Sequence, residues 1–274
     1  MTSNDALTPP HERSTSELPP LIVIVGPTAS GKTALGVELA EHLGGEIISA
    51  DSVQIYRYFD VGSGKPSAEE KARAPHHLID VVEPDETMEA SLFAELARRK
   101  IDEVRARGRV PLVCGGTFLW VRALLYGLAD APPGNAEIRA RHAERAEKEG
   151  RAALHAELDQ VDPESAARLH PQDLIRVSRA LEVFELSGRK LSDIQAEHGF
   201  RSSRYRVTLL GRDSERSEYD ARVARRVRGM LDAGFVDEVT ELVARGFGAS
   251  RAMGSVGYKQ LKDALNDGPT NAIY

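Results

Sequence analysis

The feature that most constrains the fold is an octapeptide set between two patterned segments. Leu21-Ile22-Val23-Ile24-Val25 is an uninterrupted aliphatic run, suited to a strand covered on both faces. Gly26-Pro27-Thr28-Ala29-Ser30-Gly31-Lys32-Thr33 follows at once, and Leu35, Leu39 and Leu43 then recur at helical spacing until Gly44-Gly45. The octapeptide fits G-x-x-x-x-G-K-[ST], in which glycines let backbone N–H groups wrap a phosphate chain at the positive end of a helix. Short patterns of this kind arise by chance, but the setting between an aliphatic strand and an amphipathic helix favours phosphate binding. Lys32 adds charge, and Thr33 is the candidate ligand for Mg2+. The motif points to a diphosphate without specifying a nucleotide.

The alternation continues. Glu46 to Ala50 reads as a second strand with Asp51 at its C-terminal tip. Leu92, Phe93, Leu96, Ile101 and Val104 form a helical stripe ending near Gly108, and Arg109 to Val113 is a third short strand leading into Cys114-Gly115-Gly116-Thr117. From about Ala129 to Leu191 strand-like runs vanish, and Pro133, Pro163 and Pro171 punctuate three or four helical segments. Tyr205 to Leu210 restores a strand, and Tyr219, Val223, Val227 and Met230 share a helix face that stops near Gly234. Strands alternating with helices imply a parallel sheet. The expected fold is therefore α/β, a phosphate-loop three-layer parallel sheet with an inserted all-helical subdomain. Residues 21–128 and 192–274 form its core domain and 129–191 the insertion. Residues 1–20, rich in Pro, Ser, Thr and Glu, read as a disordered leader.

Composition removes several classes of function. The single cysteine, Cys114, excludes an intrachain disulfide and any multi-cysteine metal centre. No apolar run approaches the roughly 18–20 residues that span a bilayer, and Met1 to Pro20 lacks the apolar core of a signal peptide, so a cytoplasmic protein is expected. The formal charge of −6 argues against coating nucleic acid by global attraction. A local basic surface remains open, since Arg201 to Met230 holds nine arginines (201, 204, 206, 212, 216, 222, 225, 226, 228) against four acids (213, 215, 218, 220). A solvated helix face explains such a cluster equally well.

A nucleotide hydrolase usually carries an acidic residue at the end of a second buried strand to organise Mg2+ and water. Here the Arg109 to Val113 strand ends in Cys-Gly-Gly-Thr. That leaves enzymes that present an acceptor to a bound phosphate ester. In such a sheet, ligands bind beyond the carboxyl ends of the strands, which brings Asp51 and Thr117 to the phosphate loop. The Asp51 carboxylate suits proton removal from an acceptor amine, against the plainer roles of helix capping or a water-mediated Mg2+ contact. Open alternatives are a small-molecule kinase, an isopentenyltransferase acting on free adenylate, and a non-catalytic RNA-binding switch that uses nucleotide as a structural ligand.

Beyond the loop, the sequence carries Asp51-Ser52-Val53-Gln54-Ile55-Tyr56, Gly62-Ser63-Gly64-Lys65-Pro66, His76-His77-Leu78-Ile79-Asp80, Gly115-Gly116-Thr117-Phe118-Leu119-Trp120, Leu169-His170-Pro171-Gln172-Asp173 with Arg176 and Arg179 to Val183, and Gly257-Tyr258-Lys259. In this order, from Leu21 to Lys259, the set resembles the bacterial tRNA dimethylallyltransferases. The resemblance implies transfer of the dimethylallyl group of dimethylallyl diphosphate to N6 of the adenosine 3′-adjacent to the anticodon in tRNA, with release of diphosphate. It further implies that residues 26–33 (Gly26, Pro27, Thr28, Ala29, Ser30, Gly31, Lys32 and Thr33) grip the diphosphate, with Arg222 and Arg226 adding positive charge. Lys32, Asp51 and Thr117 become the catalytic set. Asp51 engages the adenine amine within a tRNA-contacting element that includes Ser52, Val53 and Gln54. Thr117 and Arg139 fall near the modified base, and Gln172, Asp173, Leu174, Ile175 and Arg176 form an anticodon-loop contact in the insertion. Gly257, Tyr258 and Lys259 are assigned to tRNA with them. The implied partners are the tRNA anticodon stem-loop and dimethylallyl diphosphate, the cofactor Mg2+, and the state a monomer. The adenine must leave its stack to reach the allylic carbon.

Three departures from the family pattern stand out. Met88 stands where the family often has Tyr, and Gln172 replaces a common Asn. The 274 residues end at Tyr274 ahead of the basic, aromatic stretch usual in the family, so weaker tRNA affinity is expected.

Overall fold

The computed structural model describes residues 18–211 and 215–266. Residues 1–17 of the expected leader, and Arg212 and Asp213 of the basic stretch, lie outside the described residues. Residues 18–20 depart from the leader reading, because Pro20 already opens the first strand.

Five strands form one sheet, β1 (Pro20–Val25), β2 (Gly45–Ser49), β3 (His76–His77), β4 (Val110–Gly115) and β5 (Arg206–Gly211), in the order β3-β2-β4-β1-β5. All neighbouring strands pair in parallel, with Ile22 opposite Leu112, Ile47 opposite Leu112 and Val23 opposite Leu209. Every residue of β2 is buried, as are residues 111–115 of β4, so the centre of the sheet is covered on both faces. On one face, Ile24, Ile47, Leu112 and Cys114 pack with Val37 and Ala40 of α1 (Lys32–Leu43). Each fully buried Ile, Val or Leu there contributes about 1.5–3 kcal/mol. The helix α3 (Ala90–Ala106) packs on β2 and β4 and buries Phe93, Ala97, Ile101 and Val104. The histidine pair of β3 has no apolar period, and pairing with Ile47 and Ile48 alone makes it a strand.

Two short helices complete the first half, α2 (Ala68–Arg73) and α4 (Phe118–Tyr126). After β5 come α10 (Arg216–Asp232), α11 (Phe235–Ala244) and α12 (Tyr258–Asn266). The expected face of α10 is not a core face: no residue of this helix is buried, and Val227 is exposed. β5 is likewise an edge strand with Leu209 exposed.

By their internal contacts, Tyr126–Ser202 form a compact unit of their own. It holds five helices, α5 (Ala136–Glu149), α6 (Arg151–Val161), α7 (Pro163–Arg168), α8 (Leu174–Ser187) and α9 (Leu191–His198). Leu154, Leu158, Ala166, Val177, Ala180 and Leu181 make its core. The unit runs past the expected 129–191 because α9 belongs to it: the Ser192 N–H donates to buried Asp162 Oδ2 at 3.0 Å. Polar side chains start its helices. Asn135 caps α5, Asp162 caps α7 with Pro163 at the first turn, and Asp173 caps α8.

Candidate active site

The expected phosphate loop, residues 26–33, bridges β1 and α1. Ala29 (φ 62°) and Gly31 (φ 84°) take left-handed backbone, which turns the chain so that Lys32 and Thr33 begin the helix. The Ser30 N–H and the Lys32 ammonium both donate to Pro27 O at 3.3 Å, closing the loop on itself. Burial lowers the Lys32 pKa, and the neighbouring Asp51 carboxylate opposes that shift.

Asp51 follows β2. Its Oδ1 accepts the Val53 N–H at 2.9 Å and the Gln54 N–H at 3.2 Å, so Asp51 caps the turn that follows it, not the helix expected, and this occupies one carboxylate oxygen. Among the described residues no hydrogen bond reaches Oδ2. Thr117 Oγ1 accepts the Ser52 N–H at 2.9 Å, and the Thr117 N–H donates to Ala50 O at 3.2 Å. Thr117 thus ties the end of β4 to the Asp51 turn. The two strand tips meet so closely that a Cβ on Gly115 would lie 2.1 Å from Ala50 O.

Lys32, Thr33, Asp51, Gln54 and Cys114 line one pocket at these strand ends. Burial pushes the Cys114 thiol up to about 11, so it stays protonated and contributes packing. A second cavity, of about 370 Å³, lies beside it and is lined by Thr33, Gly64, Lys65, Arg226 and Met230. Arg222 Nε donates to Ala29 O of the phosphate loop at 3.1 Å. Arg226 Nη2 donates to Ser63 O at 3.4 Å, while its buried Nε has no hydrogen-bond partner among the described residues. Arg222 thus bonds the loop itself, whereas Arg226 bonds the Asp60–Lys65 segment and shares the second cavity with Thr33.

The residues assigned to RNA divide. Ser52 is exposed, whereas Gln54 is committed to the protein: it accepts from Ser49 Oγ at 3.1 Å and donates to Ser63 O and Gly64 O at 3.3 and 2.9 Å. Val53 is half-buried. Gln172, Ile175 and Arg176 are exposed on the helical unit, with Ile175 at 84%. Asp173 caps α8 and pairs with Arg176 at 3.3 Å, and Leu174 packs on the unit's core. Arg139 is half exposed and holds the fully buried Glu182 through Nε at 2.9 Å and Nη2 at 3.1 Å. Tyr258 requires a correction. It is fully buried against Phe59 and Phe235, and its hydroxyl donates to Glu238 Oε1 at 2.5 Å, so it offers nothing to a nucleic acid. Gly257 (φ 93°) turns the chain ahead of it, and only Lys259 of that block is exposed. Met88 is buried, its N–H donating to Tyr56 Oη at 3.2 Å. Sequence reasoning missed Glu238 altogether, because an acid on a charged helix carries no local signal.

The model of the family described as IPP transferase matches residues 54–272. The chain belongs to the IPP transferase family. It is 61% identical over 245 residues to the tRNA dimethylallyltransferase of Sorangium cellulosum strain So ce56, covering 89% of this chain and 78% of that protein. The tRNA dimethylallyltransferase of Anaeromyxobacter dehalogenans strain 2CP-C is 52% identical over 240 residues, 88% of this chain and 80% of that one. Among solved structures, the tRNA delta(2)-isopentenylpyrophosphate transferase of Staphylococcus epidermidis matches with a TM-score of 0.62 at 37% identity, covering 91% of this chain and 81% of that one. A eukaryotic dimethylallyltransferase described as acting on tRNA matches with a TM-score of 0.74 at 25% identity, covering 91% and 64%. The α/β fold of the chain is the fold of this family. The phosphate loop and Asp51 precede the span that the family model matches.

Proposed function

We propose that the chain is a tRNA prenyltransferase that moves the dimethylallyl group of dimethylallyl diphosphate to N6 of the adenosine 3′-adjacent to the anticodon. The observation that carries this reading is one pocket lined by both Lys32 and Asp51, a cation for a leaving diphosphate facing a carboxylate for an incoming amine. The N6–C1 bond forms as the C1–O bond to diphosphate breaks. The amine proton passes to Asp51 Oδ2, and diphosphate leaves with the bonding pair. Lys32, the N–H groups at the start of α1, Arg222 and Arg226 stabilise the leaving charge in an arrangement set before reaction. Thr117 keeps the Asp51 turn in place, and the Asp51 cap leaves one oxygen for chemistry.

The donors suit Mg2+. Thr33 supplies a hard hydroxyl oxygen in the pocket, and no group of three or more His, Cys, Asp or Glu stands ready as a full metal cage among the described residues. An ion held by Thr33, diphosphate oxygens and water would neutralise leaving-group charge. The exposed Arg176, Gln172 and Ile175 suit splayed bases and backbone phosphates of an anticodon loop. No described helix is long and apolar enough to cross a membrane, and the proposal places a monomer in the cytoplasm.

The test is incubation of labelled dimethylallyl diphosphate with tRNA, AMP and ATP in separate reactions. Label is expected on tRNA alone, recovered as an N6-alkylated adenosine. Label on AMP, or phosphate transfer from ATP with no prenyl transfer, would overturn the reading.

A further inference from the structure

The segment Asp60 to Lys65 bonds to Gln54 beside Asp51 and to Arg226 of α10, and its own bonds, Gly64 N–H to Val61 O at 3.0 Å and Ser63 Oγ to Phe59 O at 2.6 Å, leave its first three N–H groups to be met from elsewhere. Its N-terminal half is bound to one carboxylate. Glu238 Oε2 accepts the N–H groups of Asp60 at 2.9 Å and Val61 at 2.6 Å, and Oε1 accepts that of Gly62 at 3.1 Å. The same Oε1 takes the Tyr258 hydroxyl, which fixes the carboxylate from behind. Four donors on one carboxylate define its position tightly, because charge-assisted bonds are the strong ones.

The C-terminal half of the segment faces the reaction site. Ser63 O and Gly64 O receive the Gln54 amide, and Gln54 is also the residue whose N–H caps onto Asp51. Ser63 O also receives Arg226. The fit on both sides is close: a Cβ on Gly62 would lie 1.9 Å from the Phe235 ring, and one on Gly64 would lie 2.1 Å from Arg226 Nη2. A displacement of this segment therefore moves the Asp51 turn and Arg226 together.

We infer that Glu238, braced by Tyr258, is a positioning residue that sets the Asp60–Lys65 segment and through it both the Gln54–Asp51 turn and the diphosphate-side Arg226. The inference rests on the proposed prenyl transfer, since it assigns Arg226 to the diphosphate and Asp51 to the amine. It also gives the Gly257-Tyr258-Lys259 block a purpose away from RNA. Tyr258 is the buttress of a site loop.

The experiment compares steady-state transfer by the wild type, Glu238→Gln, Arg226→Ala and the double variant, with thermal melting alongside. In Glu238→Gln an amide NH2 faces a backbone N–H, so the segment loosens. The KM for dimethylallyl diphosphate is expected to rise about tenfold and kcat to fall about tenfold, with the tRNA KM within about twofold of wild type. In the Arg226→Ala background, Glu238→Gln should add less than about threefold to the diphosphate KM, because the two act through one contact. A residue that only stabilises the fold would lower the melting temperature and leave both KM values unchanged. That result overturns the inference, as does full multiplicativity with Arg226→Ala. Should Glu238→Gln fail to fold, Tyr258→Phe carries the test: a rise of about threefold in the diphosphate KM supports the inference, and an unchanged value overturns it. Absence of transfer by the wild type defeats the proposed function instead, so the two failures are separable.

Discussion

Two loops flank the proposed reaction site, and they differ in how far they depend on distant residues. The loop after β1 closes largely on itself, since Pro27 O takes both the Ser30 N–H and the Lys32 ammonium and Ala29 and Gly31 take left-handed backbone, with a bond from Arg222 Nε to Ala29 O tying it to α10. The Asp60–Lys65 segment has local bonds too, Gly64 N–H to Val61 O at 3.0 Å and Ser63 Oγ to Phe59 O at 2.6 Å, but three of its N–H groups go to Glu238 on α11, which Tyr258 on α12 braces and which lies 178 positions along the chain from Asp60. The first is specified mostly by eight consecutive residues, and the second depends more on one distant carboxylate. A substitution in the phosphate loop should therefore damage chemistry with little effect on stability, whereas one in the segment should damage both.

Lys32→Ala breaks the self-contained side. The ammonium opposes charge that grows as the C1–O bond breaks, so kcat should fall by about 100- to 1,000-fold with a melting temperature close to wild type. Rapid-quench transfer with melting curves checks this, and wild-type turnover would remove the loop from the mechanism. Gly62→Ala attacks the other side. Its methyl must displace the Phe235 ring, costing about 1–3 kcal/mol of stability and raising the diphosphate KM several-fold. Denaturant titration and substrate kinetics measure the two halves of that expectation. An unaltered melting temperature would show that the segment is not fixed by packing.

The helical unit serves as the control for both loops. Arg176→Ala removes an exposed cation that, among the described residues, pairs with Asp173 across one turn, so the tRNA KM should rise about three- to tenfold while the dimethylallyl diphosphate KM stays put. Equal changes in both constants would refute that division of labour. The smallest effect is on acid stability. Burial works to raise the Glu182 carboxyl, but hydrogen bonds from Arg139, Arg179 and the Asn135 N–H outweigh it and hold it below the usual range. At Asp162 burial is likewise outweighed, by bonds from Ser165 and Ser192. A carboxyl lowered in the folded state adds stability that is complete above its unfolded value of about 4 and is lost as pH falls through the folded value. Melting temperatures should thus be flat from pH 7 to about 5 and drop below pH 4, with a smaller drop in Glu182→Gln.

What the sequence disclosed follows the same divide. The aliphatic runs of β1, β2 and β4 and the glycine-bearing loop after β1 depend on neighbours in sequence, and their positions were readable to within a residue or two. Asp51 was readable because a strand tip places it beside that loop. β3 was not, since His76-His77 becomes a strand only by pairing with β2. The helical unit was visible as a change of texture, yet its end was set too early, because Ser192 binding to Asp162 carries no pattern in the chain. Tyr258 and Gln54 were read as RNA contacts because they stand in family motifs. Their polar atoms are instead engaged within the protein. A shared motif marks a residue as needed without saying whether it meets the ligand or the scaffold.

The central claim is that Asp51 removes the proton from the acceptor amine while also capping its own turn. Asp51→Asn separates these roles, because the amide oxygen still accepts from the Val53 and Gln54 N–H groups but the side chain no longer serves as a base. Single-turnover transfer to tRNA from labelled dimethylallyl diphosphate, with melting curves on the same samples, is the direct measurement. The account predicts a melting temperature near wild type, both substrates bound, and transfer slowed by about 100-fold or more. Transfer at the wild-type rate would contradict it and leave Asp51 as a cap alone.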